Sequence, residues 1–122
     1  FMDHAAISMA VKDTAGRYEF CNPRFQALVD AYADGAPVQI VGKTDIQIFP
    51  PAVGQRLRER DIEVMRQNAP IQDDQQLDLP SGRLNFLIVH FPLVDEHGTL
   101  FAVGTLMTDI TGYHLLLADE NI

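Results

Sequence analysis

The chain has 122 residues, 47% of them hydrophobic and 21% charged, with a formal charge of -8 from 17 acidic against 9 basic side chains. That balance describes one folded domain with a true core and excludes disorder for the bulk of the chain. The negative charge repels phosphate backbones and anionic lipid. The one arginine-rich stretch, Arg56 to Arg66, is interleaved with Glu59, Asp61 and Glu63, so no nucleic-acid partner and no membrane contact are expected.

The single cysteine, Cys21, excludes an internal disulfide and fits a reducing, cytoplasmic compartment. No pair of histidines has the spacing of a helical metal site, so no metal is expected. No apolar run approaches the ~18 residues of a membrane span, and Phe1-Met2-Asp3-His4 lacks the character of a signal peptide. A start without initiator methionine reads as a piece of something longer.

In chain order, Ile7 to Lys12 is a β-prone run and Asp13-Thr14-Ala15-Gly16 a tight turn. Arg17 to Cys21 alternates Tyr18 and Phe20 with polar neighbours, which completes a hairpin. Asn22-Pro23 is a helix start: asparagine caps free amides and proline at the first position loses no bond. Phe25, Leu28, Val29 and Tyr32 follow at helical spacing, so a helix runs to about Ala33. A loop to Gly42 precedes a short helical turn over Asp45 to Ile48, stopped by Pro50-Pro51.

Val53 to Gln67 is the strongest helix signal, with Val53, Leu57, Val64 and Met65 on one face. Asp61 falls in that stripe, either at its edge bonded to a backbone amide or as a buried carboxylate holding a loop or ligand. Three strands follow in meander order: Ile71 to Leu79, Leu84 to Val94, and Thr99 to about Thr111. Two strands, then helices, then three strands give an antiparallel α+β domain.

Strand alternation sends Leu84, Phe86, Ile88 and His90 one way, and Leu87, Val89 and Phe91 the other. Both faces are apolar, so something must cover the second one. His90 shares the face of Phe86 and Ile88, whereas His97 lies in a solvated turn. Val41-Gly42-Lys43-Thr44 is not a phosphate loop, because position 37 is proline where that motif needs glycine. Thr44 or Asp45 instead caps the short helix. Cys21 has no activating neighbour and reads as inert, and no grouping of residues points to catalysis, so no catalytic residue is assigned.

Taken together, Val11-Lys12-Asp13-Thr14-Ala15-Gly16-Arg17-Tyr18, Asn22-Pro23-Arg24-Phe25, Val41-Gly42-Lys43-Thr44-Asp45 and Ile48-Phe49-Pro50 resemble the first half of a PAS domain. Asp61, Pro80-Ser81-Gly82, Phe91-Pro92-Leu93, Asp95, Gly98 and Thr108-Asp109-Ile110-Thr111 are similar to its last three strands. The resemblance implies a five-stranded antiparallel sheet with helices on one face, over residues 7–111. It implies an N-terminal flank over 1–6 and the start of a connector or signalling helix over 112–122.

It further implies a sensory or dimerising module, not itself an enzyme, inside a larger signalling protein. That protein would be a two-component histidine kinase, a diguanylate cyclase or phosphodiesterase, or a transcriptional regulator, with the output domain in the same chain. The light-sensing branch places a reactive cysteine where Asp45 stands, and the haem branch takes a histidine from the long helix, which has none here. Neither flavin nor haem is expected.

Two functions fit: a sensor whose small organic ligand is lined by Phe20, Leu77, Phe86, Ile88, His90, Thr105 and Met107, or a ligand-free dimerisation and signal-relay module. A homodimer is expected, the apolar face of Leu87, Val89, Phe91, Ala102 and Leu106 being covered either by the same face of a second copy or by the N-terminal stretch around Phe1, Met2 and Ile7. Asp109 is expected to brace the exit of the last strand through backbone amides or an arginine.

Overall fold

A computed structural model describes residues 7–111. The N-terminal flank with Phe1 and Met2, and the connector from Gly112 on, lie outside the described residues. Five strands form one antiparallel sheet in the order β2-β1-β5-β4-β3: β1 Ile7–Asp13, β2 Tyr18–Cys21, β3 Ile71–Leu79, β4 Gly82–Val94 and β5 Leu100–Asp109. Three helices, α1 Pro23–Tyr32, α2 Asp45–Ile48 and α3 Pro51–Gln67, join β2 to β3.

Local chemistry sets these boundaries. Asn22 Oδ1 accepts the Phe25 amide, and Pro23 follows at the first position of α1. The Thr44 amide donates to Gln47 Oε1 at the start of α2. Pro51 opens α3 rather than merely ending α2, and Asn68, at φ 49°, closes it in the left-handed conformation that asparagine tolerates. The β1–β2 turn is held by Asp13 Oδ1, which accepts the Ala15 and Arg17 amides, with Gly16 at φ 87°.

The core lies between the inner sheet face and the helices: Tyr18, Phe25, Val29, Phe49, Leu57, Leu77, Phe86, Ile88 and Met107 form one buried cluster. The buried stripe of α3 is Gly54, Leu57, Asp61 and Val64, a rotation from the expected face that leaves Val53 and Met65 half-buried. Gly54 makes this close approach, because an added Cβ would sit 2.7 Å from the Asp45 carbonyl.

Phe20 corrects the expected pocket lining. Val11 pairs with Phe20 and Lys12 with Tyr18, so Glu19 is an extra residue on β2. Such a bulge breaks the alternation and turns Tyr18 inward and Phe20 outward. Phe20 is 48% exposed, beside Val11 on the outer face. That face continues through Ile7, Met9, Leu106, Val89 and Leu87, and the Phe91 ring lies over Gly104 on the adjacent strand.

A candidate functional site in the domain interior

Six elements each contribute a polar side chain to one interior cluster: Lys12 from β1, Tyr18 from β2, Asp45 from α2, Asp61 from α3, His90 from β4 and Thr105 from β5. All six are at most 2% exposed. Lys12 Nζ lies 2.6 Å from Asp45 Oδ2 and 2.5 Å from Asp61 Oδ2. The Tyr18 hydroxyl donates to Asp45 Oδ1, and Asp61 Oδ1 meets His90 Nδ1 at 3.1 Å. The result is a continuous chain of ion pairs and hydrogen bonds from the hairpin to the centre of the sheet.

Burial alone would drive Lys12 towards neutrality, but the Asp45 and Asp61 carboxylates outweigh it and hold the ammonium above its ordinary range. Burial, reinforced by Asp45, pushes the Tyr18 phenol well above its ordinary value. Asp61 is the reverse case: burial raises it, yet the bonds from His90 and Lys12 overcome that penalty and leave it below the usual carboxylate value. The network is therefore charged, and each charge is held by its neighbours.

Two atoms of the site remain unspent. His90 Nε2 and Thr105 Oγ1 are buried without a hydrogen-bond partner, on residues directly paired across β4 and β5. A buried polar atom without a partner carries a desolvation cost that a water or ligand would relieve.

Of the expected lining, Leu77, Phe86, Ile88, His90, Thr105 and Met107 share this interior, and Phe20 does not. Sequence reasoning singled out Asp61 and His90 but missed Lys12, Tyr18 and the bonds of Asp45. Lys12 and Tyr18 are paired across the hairpin only because of the bulge at Glu19, which strand alternation does not reveal.

Other positions are plainer. His97 is exposed in its turn, and burial, with Asp30 adding to it, raises the half-buried Cys21 thiol. Asp109 braces the end of β5 by accepting the Thr111 amide and hydroxyl, and Thr111 Oγ1 in turn accepts the Asn85 amide. Among the described residues no cluster of His, Cys, Asp or Glu could hold a metal, and no helix is long and apolar enough to cross a membrane.

Comparison with known proteins places this geometry in context. A family model described as PAS fold matches residues 2–114. The PAS domain of BvgS from Bordetella pertussis superposes with a TM-score of 0.71 at 23% identity, over 98% of this chain and 88% of that one. A sensory box sensor histidine kinase from Vibrio cholerae gives 0.67 at 16%, over 88% and 82%. VqmA of Vibrio cholerae, in a complex with ligand and DNA, gives 0.74 at 17%, covering 93% of this chain. The chain spans only 50% of the VqmA chain's length. No curated protein matches at the sequence level.

Proposed function

Because the chain belongs to the PAS fold family, we propose that it is the sensory and dimerising module of a larger signal-transduction protein, reading a small organic ligand at His90 and Thr105. The observation that carries this reading is the unspent pair, His90 Nε2 and Thr105 Oγ1, on the inner sheet face beside the paired Ile88 and Met107. With His90 Nδ1–H given to the Asp61 carboxylate, neutral imidazole Nε2 accepts, so a ligand hydroxyl that donates to Nε2 and accepts from the Thr105 hydroxyl satisfies both atoms, its body packing on the neighbouring apolar side chains. His90 is joined through Asp61 and Lys12 to α3, α2 and the hairpin, so occupancy at β4 is felt at elements on the far side of the core.

The experiment is native mass spectrometry of protein purified from cells, repeated with Thr105→Val. A retained small molecule that the variant releases supports the sensor reading. A second reading, a ligand-free dimerisation and relay module, is favoured by one specific observation: Leu77, Phe86, Ile88 and Met107 are each at most 3% exposed and pack against one another. It predicts the bare polypeptide mass in both preparations.

Assembly belongs to the same proposal. The outer face of β2, β1, β5 and β4 is apolar through Phe20, Val11, Met9, Leu106 and Val89, which suits a second copy. The parent protein is proposed to be a cytoplasmic histidine kinase, diguanylate cyclase or phosphodiesterase, or transcriptional regulator, with nucleic-acid contact, where present, made by its output domain. The Asp45 carboxylate is engaged by Lys12 and Tyr18, and α3 carries no histidine, so the purified protein is proposed to be colourless. A stoichiometric flavin or haem absorption band would overturn that.

A further inference from the structure

Arg58 stands apart from its neighbours on α3. Arg56 and Arg60 are both engaged by Asp73. Arg58 makes no ion pair among the described residues. Its Nη1 is enclosed without a hydrogen-bond partner, and Nη2 reaches only the Thr14 carbonyl, at 3.4 Å. A guanidinium offers five N–H donors, so most of this one's capacity is unspent. The side chain is nevertheless held in place: it packs on Gly16, where an added Cβ would meet Nη1 at 2.8 Å.

Beside it opens a cavity of 120 Å³ lined by Ala15, Thr44, Asp45, Ile46 and Arg58. That is room for several waters or for one small organic molecule. Two more cations without an ion pair among the described residues belong to this junction, since Arg17 bridges to Thr44 and Lys43 precedes it. The acids here are already committed. Asp13 accepts two amides of its own turn, and Asp45 is bound by Lys12 and Tyr18. In a chain of net charge -8, this is a local excess of positive charge.

The walls are not uniformly polar. Ala15 lines the cavity, and Ile46, also in its lining, is 55% exposed. A guanidinium without a carboxylate, set beside isoleucine and alanine, matches an anion with a short hydrocarbon body better than a fully hydrated one.

We propose that the junction of the β1–β2 turn, α2 and α3 is a binding site for a short apolar monocarboxylate, held by Arg58. It is separate from the interior site and stands or falls independently of it.

The test is an NMR titration of the whole chain with sodium butyrate, with butyramide as the neutral isostere and inorganic phosphate as the hydrated anion. The expected result is saturable shifts of the Ala15, Thr44 and Ile46 amides with butyrate, little response to butyramide, and weaker binding of phosphate. Arg58→Gln should weaken butyrate by about tenfold or more, the loss of a charge-assisted contact. If that variant misfolds, Ile46→Glu at the exposed rim should abolish binding through repulsion. No saturable shift, equal response to butyramide, phosphate binding as tight as butyrate, or unaltered affinity in a folded variant would overturn the proposal.

Discussion

Lys12 on β1 and Asp61 on α3 meet at 2.5 Å in the centre of the domain, each 1% exposed. Because Asp45 shares the same ammonium, one lysine joins the first strand to two separate helices. Removing it leaves two buried carboxylates without a cation. Lys12→Ala should therefore cost about 3–5 kcal/mol in urea unfolding. Lys12→Met combined with Asp61→Asn should lose clearly less than the sum of the two single variants, since they remove opposite ends of one interaction. Additive losses would mean the contact carries no coupling.

The same network sets the limits of stability with pH. Lys12 and Tyr18 have folded values above their ordinary 10.5 and 10.0. For a raised group the stabilisation is complete below the unfolded value and is lost as pH rises towards the folded one, so stability should fall above about pH 10. Asp61 lies below its ordinary 3.8, and Asp73, bonded by Arg56 and Arg60, is lowered to about 2. Their contribution is complete above 3.8 and is lost as pH falls through the lowered values. Urea midpoints across pH should show both flanks, and Lys12→Met should shrink the alkaline one.

The bulge at Glu19 separates Tyr18 and Phe20, which simple alternation puts on one face, and leaves Phe20 outside the core that holds Ile88. Ile88→Ala should cost about 2–5 kcal/mol, because Ile88 is fully buried against Met107. Phe20→Ala should change the stability of the folded chain by about 1 kcal/mol or less, as expected for a side chain on the surface. Equal losses at the two positions would place Phe20 in the core after all.

Much of this was legible in the sequence because the relevant signals are local. The Asp13 to Gly16 turn, the Asn22-Pro23 cap, the α2 boundaries and the meander follow from backbone chemistry within a few residues. His90 was legible through period-two alternation, and Asp61 as a polar interruption of a helical stripe. Lys12 was not. On β1 the larger apolar residues Ile7, Met9 and Val11 face outward, and Ser8, Ala10 and Lys12 face in, the reverse of the usual pattern. A buried lysine is stabilised only by partners 33 and 49 residues away in sequence, and no local pattern reports them. Phe20 failed for a related reason, because a one-residue bulge leaves no mark in composition but moves a side chain to the opposite face.

On the outer face, Val89 pairs with Leu106, which pairs with Met9. Val89→Glu should weaken self-association in sedimentation velocity, whereas Glu59→Lys, at an exposed position of α3, should leave it unaltered. A wild-type monomer at high concentration would contradict dimerisation through this surface.

Native mass spectrometry of the cell-derived protein tests the central claim most directly, since His90 Nε2 and Thr105 Oγ1 are the atoms a ligand would satisfy. The account predicts a complex heavier than the polypeptide by one small organic molecule, released on denaturation and lost in Thr105→Val. The bare polypeptide mass, together with a melting temperature that no cell metabolite extract raises, would contradict it.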